Sequence, residues 1–275
     1  LTLPSANRLG YNLSFVFTAD APDTPQVPLT KRQRSLAQGG LTVNTALVPS
    51  DDEIDLWVNA DSLGNISSLF GYSLSNIFQL QFASTLYETS FDAPLKTNDG
   101  FFSWRLGGKV VAFSPLRGAP FWSAARITLG KSTDLFNNAQ EKISGNGYVF
   151  AEAMATWEVS SNLALNFNPK LLNSAAGQLW GFGVSSNLQL APGWQLIAEV
   201  NAAVNNLISL DQLIVDRNID INNSILTNGT IGLRLQVNDR LAVEAYGSTA
   251  ASLLDVGQLL SSDQVRWGSR LIVAF

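Results

Sequence analysis

Residues 265–275, VRWGSRLIVAF, decide the fold because their side chains alternate between two faces of a strand. One face is largely apolar and consists of Val265, Trp267, Ser269, Leu271, Val273 and Phe275. The other face carries Arg266 and Arg270 among small or apolar residues. A side-chain period of two belongs to a β-strand. The stretch therefore predicts a strand with one apolar and one charged face.

A strand of this kind that ends on phenylalanine resembles the closing strand of bacterial outer-membrane β-barrels. In that family the barrel insertion machinery reads the C-terminal aromatic residue as a sorting signal. The resemblance implies that role for Phe275, that machinery and outer-membrane lipid as partners, and the bacterial outer membrane as localisation. A half-buried strand of a soluble β-sandwich shows the same alternation, so the rest of the chain has to separate the two folds.

Composition narrows the chemistry that the chain can perform. The 275 residues contain no cysteine and no histidine. Thiol nucleophiles, thiolate metal sites and histidine bases are therefore excluded, and with them the usual mechanisms of outer-membrane phospholipases, omptin-type proteases and lipid A acyl-modifying enzymes. We expect no enzyme activity, no cofactor and no metal site.

Charge and hydropathy limit the partners. The net charge is −5, and no basic stripe is available to neutralise phosphates, so no nucleic-acid partner is expected. No apolar run approaches the ~18 residues of a membrane helix, so a membrane-spanning form of this chain would have to use strands.

Short polar turns between alternating strands recur along the chain and predict hairpins. Six such turns lie at VPSDDE (48–53), LSN (74–76), SPLRGAP (114–120), VSSN (159–162), APG (191–193) and VNDR (237–240). They are rich in residues that accept turn geometry. Longer polar connections separate them, at 20–38, 61–65, 88–99, 132–144, 173–177, 205–230 and 250–262.

Alternation of short turns and long loops is typical of a transmembrane barrel, which keeps its short turns on the periplasmic rim. Six hairpins, an opening strand at 10–19 and the closing strand at 265–275 predict an all-β, antiparallel up-and-down barrel of about fourteen strands. Twelve strands result if the turn at Leu74 is only a loop. We expect one domain over residues 1–275.

The strand faces predict which side chains point into the lumen. Apolar and aromatic positions such as Trp157, Trp180 and Trp194 alternate with polar ones, and we assign the polar face to the interior. Aromatic residues near the strand ends, Trp122 among them, are predicted to form an outer aromatic band at the membrane interface. The predicted pore-lining charges, seven basic and five acidic, are Asp55, Arg105, Lys109, Arg126, Glu152, Glu158, Lys170, Glu199, Arg234, Glu244, Arg266 and Arg270. For each of them a salt bridge that only stiffens the wall is an equal alternative.

Opposed charges in a confined aqueous pore suggest passive diffusion of small polar solutes or ions. Two other functions stay open: transport of hydrophobic compounds, suggested by the apolar loop stretches 207–219 and 253–260, and a structural barrel without an open pore. Fatty-acid transporters of similar strand number carry an N-terminal plug, and the residues before an opening strand at 10–19 are too few to form one. The sequence does not define the oligomeric state.

Overall fold

A computed structural model describes residues 29–62, 64–86, 102–132, 147–174, 177–207, 219–220 and 225–275. Strand bounds are β1 Ile54–Asp61, β2 Ile66–Ser75, β3 Phe78–Leu86, β4 Phe102–Phe113, β5 Trp122–Ser132, β6 Gly147–Glu158, β7 Leu163–Ser174, β8 Gly177–Ala191, β9 Trp194–Leu207, β10 Ile219–Asp220, β11 Ile225–Asn238, β12 Leu241–Ala250 and β13 Ser261–Ala274. One α-helix, α1, spans Lys31–Ala37, and short 3-10 turns lie at Pro115–Arg117 and Asp255–Gln258.

Twelve of the strands form a closed antiparallel barrel, because β1 pairs with both β2 and β13. Val58 marks the seam, since it lies opposite Ser68 on one side and Leu271 on the other. The two-residue strand β10 is an addition that pairs only with β13. Twelve is the lower of the two predicted counts, and the predicted opening strand at 10–19 lies outside the described residues.

Five of the six predicted tight turns join neighbouring strands, and all five lie on one rim of the barrel. They connect β2 to β3, β4 to β5, β6 to β7, β8 to β9 and β11 to β12. Gly193, in the APG turn, has a φ of 81°, a conformation that glycine adopts without strain. The start of β1 and Phe275 lie on this rim too, where the backbones of Ile54 and Phe275 exchange two hydrogen bonds.

The sixth predicted hairpin, at VPSDDE, is wrong. Residues 39–48 form no strand but run through the barrel interior, and Asp51 and Asp52 form the turn that leads into β1. The backbone of this stretch bonds to side chains of the wall rather than to a neighbouring strand. We call residues 29–50, which include helix α1, the inner segment. A segment inside the lumen thus precedes β1, whereas the residues before 10–19, which were predicted to be too few for a plug, lie outside the described ranges.

The strand faces follow the predicted alternation. In β13, Trp267 and Leu271 point outward and Arg266 and Arg270 point inward. Large apolar side chains cover the exterior of the other strands, which is the surface that a bilayer would contact. Trp122 departs from the predicted outer aromatic band, because it is only 3% exposed and packs against the inner segment.

Across the described ranges no helix is long and apolar enough to cross a membrane.

Candidate functional site

The candidate site is the barrel lumen, and the inner segment occupies its short-turn half. Helix α1 begins with a capping box, in which the Thr30 hydroxyl accepts from the Gln33 amide and the Gln33 side chain accepts from the Thr30 amide. The Gln33 side chain also donates to Glu158 at 3.0 Å, and Lys31 lies 3.9 Å from Asp239. Glu158 and Asp239 belong to the short-turn rim, so the inner segment enters the lumen from that side.

Glu199, on β9, is the main acceptor for the turn of the inner segment. Its carboxylate accepts from the backbone amides of Leu41 at 2.8 Å, Thr42 at 2.5 Å and Val43 at 3.2 Å. The Thr42 hydroxyl adds a fourth hydrogen bond at 2.7 Å. Consecutive amides around one carboxylate form an anion-binding concavity of the kind called a nest. The buried carboxylate of Glu199 thus accepts hydrogen bonds from three backbone amides of the inner segment.

Cationic side chains of the wall hold the carbonyl groups of the inner segment. Such charge-assisted hydrogen bonds are stronger than neutral ones. They run from Lys109 to Leu47, from Lys170 to Thr42 at 2.7 Å, from Arg234 to Ser35 at 2.5 Å and Gly39 at 2.6 Å, and from Arg270 to Gly40 at 2.8 Å. The wall charges are therefore occupied by backbone groups as well as by one another.

Two buried ion triads cross neighbouring strands at paired positions, each with a carboxylate between two cations. In one, Glu244 on β12 contacts Arg234 on β11 and Arg270 on β13, both at 2.5 Å. In the other, Glu152 on β6 lies 2.9 Å from Arg126 on β5 and 3.8 Å from Lys170 on β7. Removal of Glu244 would leave two buried cations without a carboxylate partner, whereas Arg126 of the other triad also lies 3.0 Å from Asp255.

The loop between β12 and β13, residues 251–260, fills the other half of the lumen from the long-loop rim. Its Asp255 pairs with Arg105, and lies 3.0 Å from Arg126 and 2.9 Å from the Thr128 hydroxyl. Asp255 has a φ of 35°, in the left-handed region, which costs a non-glycine residue about 1 kcal/mol. The ion pairs thus hold the loop in a strained backbone conformation.

The same contacts set the ionisation of Asp255, which lies in this loop and outside the spanning strands. Burial by itself raises the pKa of the Asp255 carboxyl, but the charges of Arg105 and Arg126 outweigh burial and leave the pKa below its ordinary value. Because the folded-state pKa is lowered, these contacts contribute stability above the ordinary aspartate pKa and lose it as the pH falls through the folded pKa.

The two segments meet in the middle of the barrel. The Lys170 ammonium donates to Thr42 of the inner segment and, at 2.9 Å, to the Gln258 side chain of the loop. Leu41 and Leu253 pack in one apolar cluster. Interior cavities of about 40 and 10 Å³ lie between these segments and the wall, mainly at strands β1–β4, with β13 also lining the larger and β6 the smaller. Within the described ranges, the inner segment and the loop together fill the lumen.

All twelve charges predicted to face the lumen lie on the inner side of the wall. Eleven are 0 to 6% exposed: Asp55, Arg105, Lys109, Arg126, Glu152, Lys170, Glu199, Arg234, Glu244, Arg266 and Arg270. Glu158 lies at the rim, where it also accepts from Trp122 at 3.0 Å. The remaining pairs are Arg266 with Asp61 at 2.8 Å and Asp55 with the Gln79 amide at 2.9 Å.

Sequence analysis missed the uncharged half of the site. Asn168 and Asn201 bind Glu152 and Lys170 at 2.7 and 2.8 Å, and Thr156 accepts from the Ala46 amide at 2.8 Å. Their inward positions in alternating strands were a usable signal. Asp255 carried no such signal, because it lies in a loop.

The fold is similar to those of solved outer-membrane proteins. The KdgM porin superposes with a TM-score of 0.54 at 9% identity, over 81% of this chain and 99% of that chain, and has also been solved in complex with oligogalacturonate. The NanC porin gives a TM-score of 0.52 at 8% identity, over 81% and 98% of the two chains. An outer-membrane channel from Pseudomonas putida F1 gives 0.54 at 12% identity, over 83% and 97%.

No protein-family model matches the chain, and neither does any curated protein sequence. The likeness to solved structures, at these identities, is a likeness of fold. The chain thus has a porin-like β-barrel fold like that of these outer-membrane proteins, with a closed antiparallel sheet and an apolar exterior. This confirms the predicted fold, which agrees with the resemblance that led to it and with the predicted outer-membrane localisation.

Proposed function

We propose that this chain is an outer-membrane channel for the passive diffusion of small polar solutes or ions, and that the inner segment narrows its lumen. The observation that carries the proposal is the contrast between the two sides of the wall. Large apolar residues cover the outside, whereas the inside carries ion triads, amides and hydroxyls beside smaller apolar clusters. A polar inner face offers hydrogen bonds to a hydrated solute.

Three further predictions belong to this proposal. The twelve wall charges line the path or its constriction, residues 1–275 act as one domain, and Phe275 serves as the sorting signal that the insertion machinery reads. The Phe275 ring is exposed on the barrel exterior, at the short-turn rim. Exposure at the rim leaves the ring accessible to a partner.

The purified barrel in a planar lipid bilayer tests the proposed function. We expect discrete conductance steps, and we expect sugar-loaded liposomes that contain the protein to swell faster than empty ones. Silence at all voltages together with unchanged swelling would favour the structural barrel, since the described residues already fill the lumen.

Transport of hydrophobic compounds is the second candidate, and one observation favours it. Leu36 and Leu47 of the inner segment pack against Trp122 and Met154 of the wall, which forms an apolar patch inside the barrel. A fluorescent fatty-acid analogue that binds the detergent-solubilised protein, in the absence of any ion conductance, would support this function over the polar channel.

A further inference from the structure

Among the described residues, the hydrogen bonds of the inner segment to the barrel wall leave out strands β1–β3. They lead to six strands, β4, β6, β7, β9, β11 and β13, through Lys109, Glu152, Lys170, Glu199, Arg234 and Arg270 respectively. The apolar cluster of the inner segment likewise packs against β4–β7. The segment is therefore anchored mainly to the other strands, and beside β1–β3 its residues 37–41 border a cavity.

The opposite sector, formed by β1–β4, contains the two interior cavities. The cavity of about 40 Å³ is lined by Asp55, Gln79, Gln81 and Lys109 on the wall and has room for a water molecule. The cavity of about 10 Å³ lies next to it, toward the long-loop rim. Arg105 and Leu254 line both cavities, so they separate two parts of one incompletely filled sector.

The wall of this sector carries a row of polar side chains beside an apolar cluster that includes Trp57 and Leu69. The Gln81 side-chain Nε2 donates to the Gln79 side-chain Oε1 at 2.8 Å, and the Gln79 Nε2 donates to Asp55 Oδ2 at 2.9 Å. Asp55 Oδ1 and Gln81 Oε1 are buried and have no hydrogen-bond partner among the described residues. Acceptors of this kind can bind water or the hydroxyl groups of a solute.

Arg105 and Asp255 close the sector. The ion pair keeps the loop inside the barrel, with Leu254 between the two cavities, although the Asp255 backbone is strained. Loss of the pair would release that strain and free Leu254 to leave the sector. The loop thus adds a second constriction to the one that the inner segment forms.

We propose that solutes cross the barrel through the sector between strands β1–β4 and the inner segment, with Asp55, Gln79, Gln81 and Lys109 lining the path and the Arg105–Asp255 pair as its gate. The inference rests on the proposed channel function and adds the route and the residues that control it. The inner segment then acts as a fixed filler that directs solutes to one side.

Single cysteines test the route, because the chain contains none of its own. Gln79→Cys lies in the proposed path, and its matched control Gln195→Cys is equally buried on β9 beside Ser35 of the inner segment. Both are made in an Asp255→Asn background, since asparagine tolerates the left-handed backbone but removes the charge. A small charged methanethiosulfonate reagent should abolish most of the conductance of the Gln79→Cys channel and leave that of Gln195→Cys unchanged.

The Asp255→Asn variant without either cysteine tests the gate. Loss of the buried pair should raise the open fraction of Asp255→Asn about tenfold over the wild type. Equal block of both cysteine variants, or no block of Gln79→Cys, would overturn the route, and an unchanged open fraction would overturn the gate. Silence of every variant, wild type included, would instead overturn the channel function and this inference with it.

A disulfide between the inner segment and the opposite wall gives an independent measurement. The Ala46 amide lies 2.8 Å from the Thr156 hydroxyl oxygen, the atom that a cysteine sulfur would replace. The oxidised Ala46→Cys/Thr156→Cys barrel should conduct as well as the reduced one, because the proposed path does not need the segment to move. Loss of conductance on oxidation, restored by a reductant, would show that the route lies on the inner segment's side.

Discussion

Replacing Glu199 by alanine is expected to release the turn of the inner segment and to enlarge the conductance of the barrel. The substitution leaves the amides of Leu41, Thr42 and Val43 without their acceptor inside the lumen. Unpaired buried donors cost about 1–3 kcal/mol each. Even if water partly replaces the carboxylate, the free energy that favours the bound position of the inner segment should fall by about 3 kcal/mol. That change raises the released fraction roughly a hundredfold.

Two measurements check this outcome. Single-channel recordings should show larger conductance steps, and trypsin should cleave the folded barrel faster after Arg32 and Arg34 of helix α1, which leave the rim with the segment. Asp52→Asn is the control, because Asp52 lies in the exposed turn before β1 with a φ of 57°, which asparagine also tolerates. A Glu199→Ala barrel with wild-type conductance and trypsin resistance would contradict the anchoring role of Glu199.

Replacing Glu244 by leucine is expected to destabilise the barrel by about 3–5 kcal/mol, the usual cost of breaking a buried ion pair from one side. Arg234 and Arg270 would then face each other inside the wall without the carboxylate that lies 2.5 Å from each. Both arginines also hold carbonyls of the inner segment, so the loss extends beyond the triad.

The stability of the Glu244→Leu barrel can be read from the temperature at which the folded band disappears in semi-native electrophoresis. Glu158→Gln is the matched control, because the Glu158 side chain lies at the rim and is 24% exposed, so we expect it to lose much less stability. Equal transition temperatures for Glu244→Leu and the wild type would show that the triad contributes nothing to the fold.

Much of the wall could be predicted from the sequence because successive side chains of a barrel strand alternate between its outer and inner faces. Arg270 and Trp267 alternate in β13 as they do in the sequence, and the APG and VNDR turns lie where turn chemistry predicts them. These features depend on residues that are near one another in the chain. Local rules were sufficient for them.

The interior could not be predicted from local rules. Residues 39–48, GGLTVNTALV, resemble a strand followed by a turn, yet their hydrogen bonds lead to residues more than a hundred positions away, such as Glu199 for Leu41. The twelve wall charges were placed on the inner side, but their partners on the inner segment and the loop were not visible. Trp122 was assigned outward for the same reason, since its contacts come from the inner segment.

The seam between β1 and β13 has a consequence for the order of assembly. Because the first and last strands of the ring pair with each other, the sheet cannot close until the end of the chain has arrived. The inner segment leads directly into β1, so we expect it to lie on the concave side of the curling sheet before the ends meet. In that order the sheet curls around the inner segment, and the barrel closes with the segment already in its lumen.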